Sequence, residues 1–426
     1  MQVLLKNGTI FTGSGFVSAD VLISDGNIVS VSPSISISGF NGCIIDCNRF
    51  FIAPSFADIH VHLREPGFSY KATVRSETAA AAKGGYTAVC AMPNLKPSPD
   101  SLENLKEELD IIKRDALIDV FPYGTMTVGS KGEELSDMEA MAPFVFAFSD
   151  DGKGVQKTEM MKKAIAEAIR LNKPISAHCE VEALLSGGSV HEGEWAHRQG
   201  KKGISSESEW KMIERDLELL KGTPLRYNVC HISTKESVEL IRKAKKEGLN
   251  VTAETAPHYL TMTDSDLLDE GRFKMNPPIR GKEDREALVE GFIDGTIDYL
   301  ATDHAPHSKE EKEGNLEESL FGIVGLETAF AVVYTELVKT GKMSLETLIE
   351  RMAIDPKKFI GLDYEIKEGK RADLVVLNLS EEWKIKGEEF VSAGKFTPFE
   401  GKSVFGAVEI TINNGRIVWQ KNGQRS

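Results

Sequence analysis

The chain has 426 residues, 41% hydrophobic and 27% charged, and its 65 acidic against 51 basic side chains leave a formal charge of −14. That length exceeds the roughly 250–300 residues at which one core stops growing, so one large domain and a smaller companion are expected. The negative balance excludes a broad electrostatic grip on nucleic acid or an anionic membrane. No stretch approaches the roughly 18–20 apolar residues of a membrane span, and residues 1–10 lack a signal-peptide core. Cys43, Cys47, Cys90, Cys179 and Cys230 are odd in number and scattered, which argues against a disulfide framework and for a reducing, cytoplasmic setting.

In chain order, residues 3–10 and 21–31 are short β-rich runs with turn signals at Asn7-Gly8 and Asp25-Gly26. From about residue 56 to 360 the pattern changes to alternation. Strand-like runs at 56–63, 87–93, 118–127, 145–150, 174–179, 226–232, 250–255 and 299–302 are separated, for the most part, by helical patterns such as 73–83, 157–171 and 235–246. Eight strands alternating with helices point to an α/β fold, a closed parallel (β/α)8 TIM barrel, with an open doubly wound sheet as the structural rival. After the charge-rich stretch 309–318, read as a mobile loop, residues 373–379 and 408–419 return to β-rich runs with a hairpin signal at Asn414-Gly415. The expected division is residues 1–54 and 363–426 as two parts of a small β-sandwich formed by both termini, around a barrel at 55–362.

Several signatures fail on inspection. Gly401-Lys402-Ser403 ends like a phosphate-binding loop, but Phe396 stands where the first glycine belongs. His178-Cys179-Glu180 begins like a zinc deaminase without the later cysteine pair.

The strongest local signal is Asp58-Ile59-His60-Val61-His62-Leu63-Arg64-Glu65-Pro66-Gly67. Residues two apart on a strand face the same side, so His60 and His62 can converge on one metal. His178 and His231 sit where other strands end, and the eighth strand runs into Thr302-Asp303-His304-Ala305-Pro306-His307. Strand ends meet at the carboxyl-terminal mouth of such a barrel, and imidazoles with carboxylates suit zinc or a similar borderline cation. If His178 and His231 point inward, Cys179 and Cys230 point outward and are buried apolar residues. His258 and His304 read as orienting or structural residues, and His191 and His197 as solvent-exposed.

These strings, with Met92-Pro93-Asn94 and Lys274-Met275-Asn276-Pro277-Pro278, resemble the amidohydrolase superfamily and, within it, the class I dihydroorotase family, over about the whole chain. The resemblance implies zinc-dependent, reversible cyclisation of N-carbamoyl-L-aspartate to L-dihydroorotate in pyrimidine synthesis. It places metal ligands on His60, His62, Asp151, His178, His231 and Asp303, with Asp151 preferred to Asp150 because its spacing to His178 matches the family pattern. One or two zinc ions are both compatible with that set. It carries substrate binding onto Arg64, Asn94, Asn276 and His307, and proton transfer onto Asp303. A guanidinium at Arg64 suits bidentate recognition of a carboxylate. As partners it implies a homodimer and association with the preceding pathway enzyme. Allantoinase, dihydropyrimidinase and hydantoinase share the fold and metal, but their substrates lack the carboxylate that Arg64 would clamp. A catalytically dead scaffold would have lost ligands, and here none is missing.

Overall fold

The computed structural model describes residues 2–421. Strands β1 (Gln2–Phe11), β2 (Phe16–Ser24), β3 (Asn27–Ser32), β4 (Cys43–Asp46) and β5 (Phe51–Pro54) come first. The chain then enters β6 (Phe56–Val61), β7 (Tyr86–Ala91), β8 (Asp119–Pro122) and β9 (Ile175–Ala177). A small parallel pair, β10 (Val190–His191) and β11 (Gly203–Ile204), precedes β12 (Tyr227–Val229), β13 (Val251–Thr255) and β14 (Tyr299–Leu300). The chain closes with β15 (Leu374–Lys384), β16 (Ser403–Asn413) and β17 (Arg416–Gln420).

Two parallel runs, β6-β7-β8 and β9-β12-β13-β14, form most of a barrel wall. Single-residue bridges close it. Phe148 pairs with both Gly124 and Ile175, and His304 pairs with Val61. The fourth expected strand, 145–150, is thus reduced to one bridging residue, because Asp150 and Asp151 turn away into a loop immediately after it. Helices cover the outside with apolar stripes of helical period. The helix Thr158–Arg170 buries Met161, Ala164, Ile165 and Ala168, and Lys235–Lys246 buries Val238, Ile241 and Ala244 behind a Thr234 cap. Inside the barrel, Ile59, Cys90, Tyr123, Ala147, Cys230 and Tyr299 pack as one cluster, a filled core as such barrels require.

The terminal segments assemble together in the order β17-β16-β15-β5-β1-β2-β3, with β4 beside β1. This is one continuous sheet whose halves share a core: Val3, Val21 and Ile52 from the start pack with Leu374, Val376 and Ile412 from the end. The 309–320 segment departs from the mobile loop expected of its charge. Leu316 is fully buried, and Lys312 donates from Nζ to the carbonyls of Lys274 (3.0 Å) and Leu320 (2.8 Å), so the segment is docked across the barrel mouth.

Candidate active site

The loop-bearing end of the barrel gathers the histidines. Asp151 lies at their centre: its Oδ1 is 3.4 Å from His60 Nε2 and 3.6 Å from both His178 Nδ1 and His231 Nε2, while its Oδ2 is 3.6 Å from His62 Nε2. Asp303 closes the group, with Oδ1 3.0 Å from His62 Nε2 and 3.6 Å from His60 Nε2. Asp150, one residue earlier, faces the other way. Its Oδ1 accepts from the backbone N–H of Met126 (2.7 Å) and Thr127 (3.1 Å), and Oδ2 takes the Thr127 hydroxyl. The two neighbouring aspartates therefore do different work, one holding a loop and one facing the imidazoles.

The cluster is buried, and some of its polar atoms lack partners. His60 Nε2 and Asp151 Oδ1 make no hydrogen bond, a costly state for buried groups. Their separation is close to the roughly 3.4 Å between two ligands each about 2.1 Å from one tetrahedral ion. His60, His62 and Asp303 form one potential metal-holding set, and His60, Asp151 and His231 another. Nitrogen and carboxylate donors at this spacing fit a divalent borderline cation. Burial pushes the Asp151 carboxyl up, but the close imidazoles of His60, His231 and His62 outweigh it and hold it well below the usual range. Asp303 behaves alike: burial raises it, and His62, His60 and His231 bring it down to about 2.

Backbone geometry presents these groups. Arg64, His231 and Asp303 all occupy the left-handed region, with φ of 69°, 34° and 48°, which non-glycine residues adopt only at a cost that the surrounding structure must support. Arg64 is buried at the rim. Its Nε donates to the Pro306 carbonyl at 2.9 Å, and Nη2 lies 3.4 Å from His307 Nε2. Asn94 donates to the Asp151 carbonyl (2.7 Å) and Asn276 to Glu180 Oε1 (2.8 Å), and each leaves its own Oδ1 without a partner.

Some of the supporting residues escape the sequence reading. Glu254 on β13 accepts from His60 Nδ1 at 2.8 Å and so aims Nε2 toward Asp151. Its signal was one buried acidic residue on a strand otherwise made of Val, Thr and Ala. Glu180 lies between His178 Nε2 (3.4 Å) and Asn276. Asp58 accepts from the His60 N–H and from Thr302, tying the first barrel strand to the last.

The cysteines divide. Cys179 faces outward to Tyr227 and Asp216, as alternation predicts. Cys230 does not: it lies in the barrel interior beside His60 and Glu254. The backbone turn at His231 breaks the alternation on which that expectation rested. His304 is structural, with Nε2 2.6 Å from Glu77, and Nδ1 accepts from the Gly325 N–H. His258 is buried, and burial pushes it down to about 4. His197 is exposed, whereas His191 is half-buried against Arg280.

Residues 50–237 match the family model described as dihydro-orotase-like. The chain is 48% identical over 419 residues to a dihydroorotase of Fusobacterium nucleatum, covering 98% of each chain, and 46% identical over 425 residues to one of Bacillus cytotoxicus, covering 99% of each. Among solved structures it is similar to an L-hydantoinase (dihydropyrimidinase) of Arthrobacter aurescens, with TM-score 0.88 and 27% identity over 100% of this chain and 97% of that one. A dihydropyrimidinase of Brevibacillus agri shares the fold at TM-score 0.85 and 22% identity, over 99% of this chain and 95% of that one. Fold and full-length sequence similarity agree: the chain belongs to the dihydroorotase family of cyclic amidohydrolases.

Proposed function

We propose that the chain is a metal-dependent dihydroorotase, interconverting N-carbamoyl-L-aspartate and L-dihydroorotate with zinc as its ion. The observation that carries this reading is Asp151 facing four imidazoles beside a buried guanidinium, Arg64, at the same rim. His60, His62, Asp151, His178, His231 and Asp303 are the residues that would hold one or two ions. When bound, such an ion supplies a deprotonated water at neutral pH and positive charge for the oxygen that becomes negative during acyl transfer.

The remaining work falls to the chain. Arg64 clamps the ring carboxylate with its unoccupied guanidinium nitrogen, held in orientation by the Pro306 carbonyl. Asn94 and Asn276 offer amide oxygens without partners to the N–H groups of the ring. His307 lies against Arg64 and completes that side of the pocket. Asp303 accepts the proton of the attacking water and passes it to the leaving nitrogen in ring opening; in closure the same carboxyl returns a proton as water departs. Glu254 keeps His60 in one tautomer throughout.

The same reading includes a cytoplasmic homodimer, association with the preceding pathway enzyme, and domain limits at 54/55 and 362/363. Five unpaired cysteines support the reducing setting. The test is turnover of dihydroorotate and carbamoyl aspartate by zinc-loaded protein, measured beside allantoin, hydantoin and dihydrouracil with zinc counted per chain. Preference for the carboxylated substrates is expected. No turnover of dihydroorotate would overturn the reading.

A further inference from the structure

The ring of His307 is engaged at both nitrogens. Nε2 lies 2.7 Å from the Phe321 carbonyl oxygen, so this nitrogen carries the hydrogen and donates it. Nδ1 is then a lone-pair acceptor, and Lys71 Nζ stands 3.2 Å from it. The same ammonium pairs with Glu311 Oε1 at 3.0 Å, while Glu311 Oε2 lies 3.2 Å from Nδ1. An imidazole lone pair and a carboxylate repel each other, so the hydrogens of Lys71 are what reconcile them.

The corner is built from three directions. Arg64 and Lys71 come from the loop after β6. Glu311 and Lys312 come from the short helix Lys309–Lys312, where Glu311 also caps Ser308. The Phe321-Gly322 backbone lies behind the ring, and a Cβ at Gly322 would sit 2.9 Å from Nε2. Tyr70 donates to Glu311 Oε1 at 3.1 Å, which leaves that carboxylate little freedom. Burial, with the charges of Arg64 and Lys71, pushes His307 down to about 3.

We propose that Lys71 is a positioning residue for His307, donating to Nδ1 and holding the ring as the neutral Nε2–H tautomer between Arg64 and Glu311. Without that ammonium, Nδ1 faces Glu311 alone and takes up a proton. The resulting imidazolium sets a second positive charge against Arg64 and disturbs the guanidinium that the proposed function assigns to the substrate carboxylate. The inference rests on that reading for its consequence, but its geometry can be tested without turnover.

The experiment is ¹⁵N NMR of the histidine rings in the metal-loaded protein, with His307→Gln to assign the signal. In the unsubstituted protein the His307 ring is expected to stay neutral and Nε2-protonated from about pH 5.5 to 8.5, around the ordinary histidine value. In Lys71→Met it should titrate inside that window, an upward shift of about 2.5 units or more from the removal of one cation beside a remaining carboxylate. Lys71→Arg, which still donates, should restore the silent ring, and adding Glu311→Gln to Lys71→Met should drive the titration back below the window. The pH profile of kcat/KM for dihydroorotate should gain the same ionisation in Lys71→Met and in no other of these proteins. A wild-type ring that titrates in the window or carries its hydrogen on Nδ1, or a silent ring in folded Lys71→Met, overturns the proposal. If Lys71→Met does not fold, the wild-type tautomer and Lys71→Arg decide it. Failure to turn over dihydroorotate would strike the proposed function and leave the ring measurement standing.

Discussion

The two ends of the barrel bury charge in opposite ways. At the end where the strands begin, Lys357 donates from Nζ to Ser55 Oγ (2.8 Å), Ser55 bonds Thr87 (2.6 Å), and Arg371 pairs with Asp119 (2.6 Å) and Asp373 (3.0 Å). At the end where the strands finish, His60 Nε2, Asp151 Oδ1, Asn94 Oδ1 and Asn276 Oδ1 are buried without partners. An unsatisfied buried polar atom costs about 1–3 kcal/mol, so four of them in one place mark a surface whose partners come from outside the chain. The first end is a joint to the terminal sheet, where the charged groups pair within the chain and, of those named, only Arg371 Nε makes no hydrogen bond. The second is a receptacle.

Substitutions should separate the ends in order of severity. Asp151→Asn removes the central carboxylate, and metal content and kcat should both fall, kcat by at least about 10³-fold. Asp150→Asn, one residue away, should leave metal content unchanged and weaken the protein by about 1–3 kcal/mol through its lost loop hydrogen bonds. If the two variants behaved alike, the distinction between a loop-holding and an imidazole-facing aspartate would collapse. Next, Asp303→Ala should keep most of the metal while losing about 10³-fold in kcat, the scale of a positioned proton carrier. Near-normal kcat would remove Asp303 from that role. Arg64→Met should cost about 10²-fold in kcat/KM for dihydroorotate, as expected for charge-assisted hydrogen bonds of roughly 1.5–3 kcal/mol. Turnover of dihydrouracil, which lacks the carboxylate, should be unaffected.

The smallest effect on activity belongs to the opposite end. Lys357→Met should leave kcat unchanged and alter only how stability depends on pH. Burial pushes the Lys357 ammonium down to about 8 in the folded protein, against roughly 10.4 unfolded. Between those values the unfolded chain binds more protons, so stability rises with pH across that window. Denaturant midpoints measured from about pH 7 to 10.5 should lose that component of their rise in the variant. An unchanged slope would mean that Lys357 is as well solvated in the fold as outside it.

The residues that could be read from sequence are those whose chemistry is local. The His60/His62 pair needs only strand alternation, and the strand count needs only hydrophobic periodicity. What escaped depends on where the backbone turns. Cys230 points inward because His231 leaves the strand geometry. The fourth strand shrinks to Phe148 because two aspartates follow it. Glu254 and Lys71 were invisible for another reason: they act on His60 and His307 from residues 194 and 236 positions away in the chain. The charge of 309–320 suggested solvent, yet Lys312 is buried there because two backbone carbonyls receive its ammonium.

The seam at His304 has a consequence for how the protein is made. First and last strands meet at one residue, where the His62 N–H donates to the His304 carbonyl at 2.9 Å, next to Asp303. The early strand β5 likewise waits for β15, which is more than 300 residues later. A nascent chain on the ribosome therefore holds its earliest histidine pair in an open wall through most of synthesis. The barrel mouth can close only after residue 304 has emerged, in the last third of the chain, and contacts this distant in sequence slow that closure.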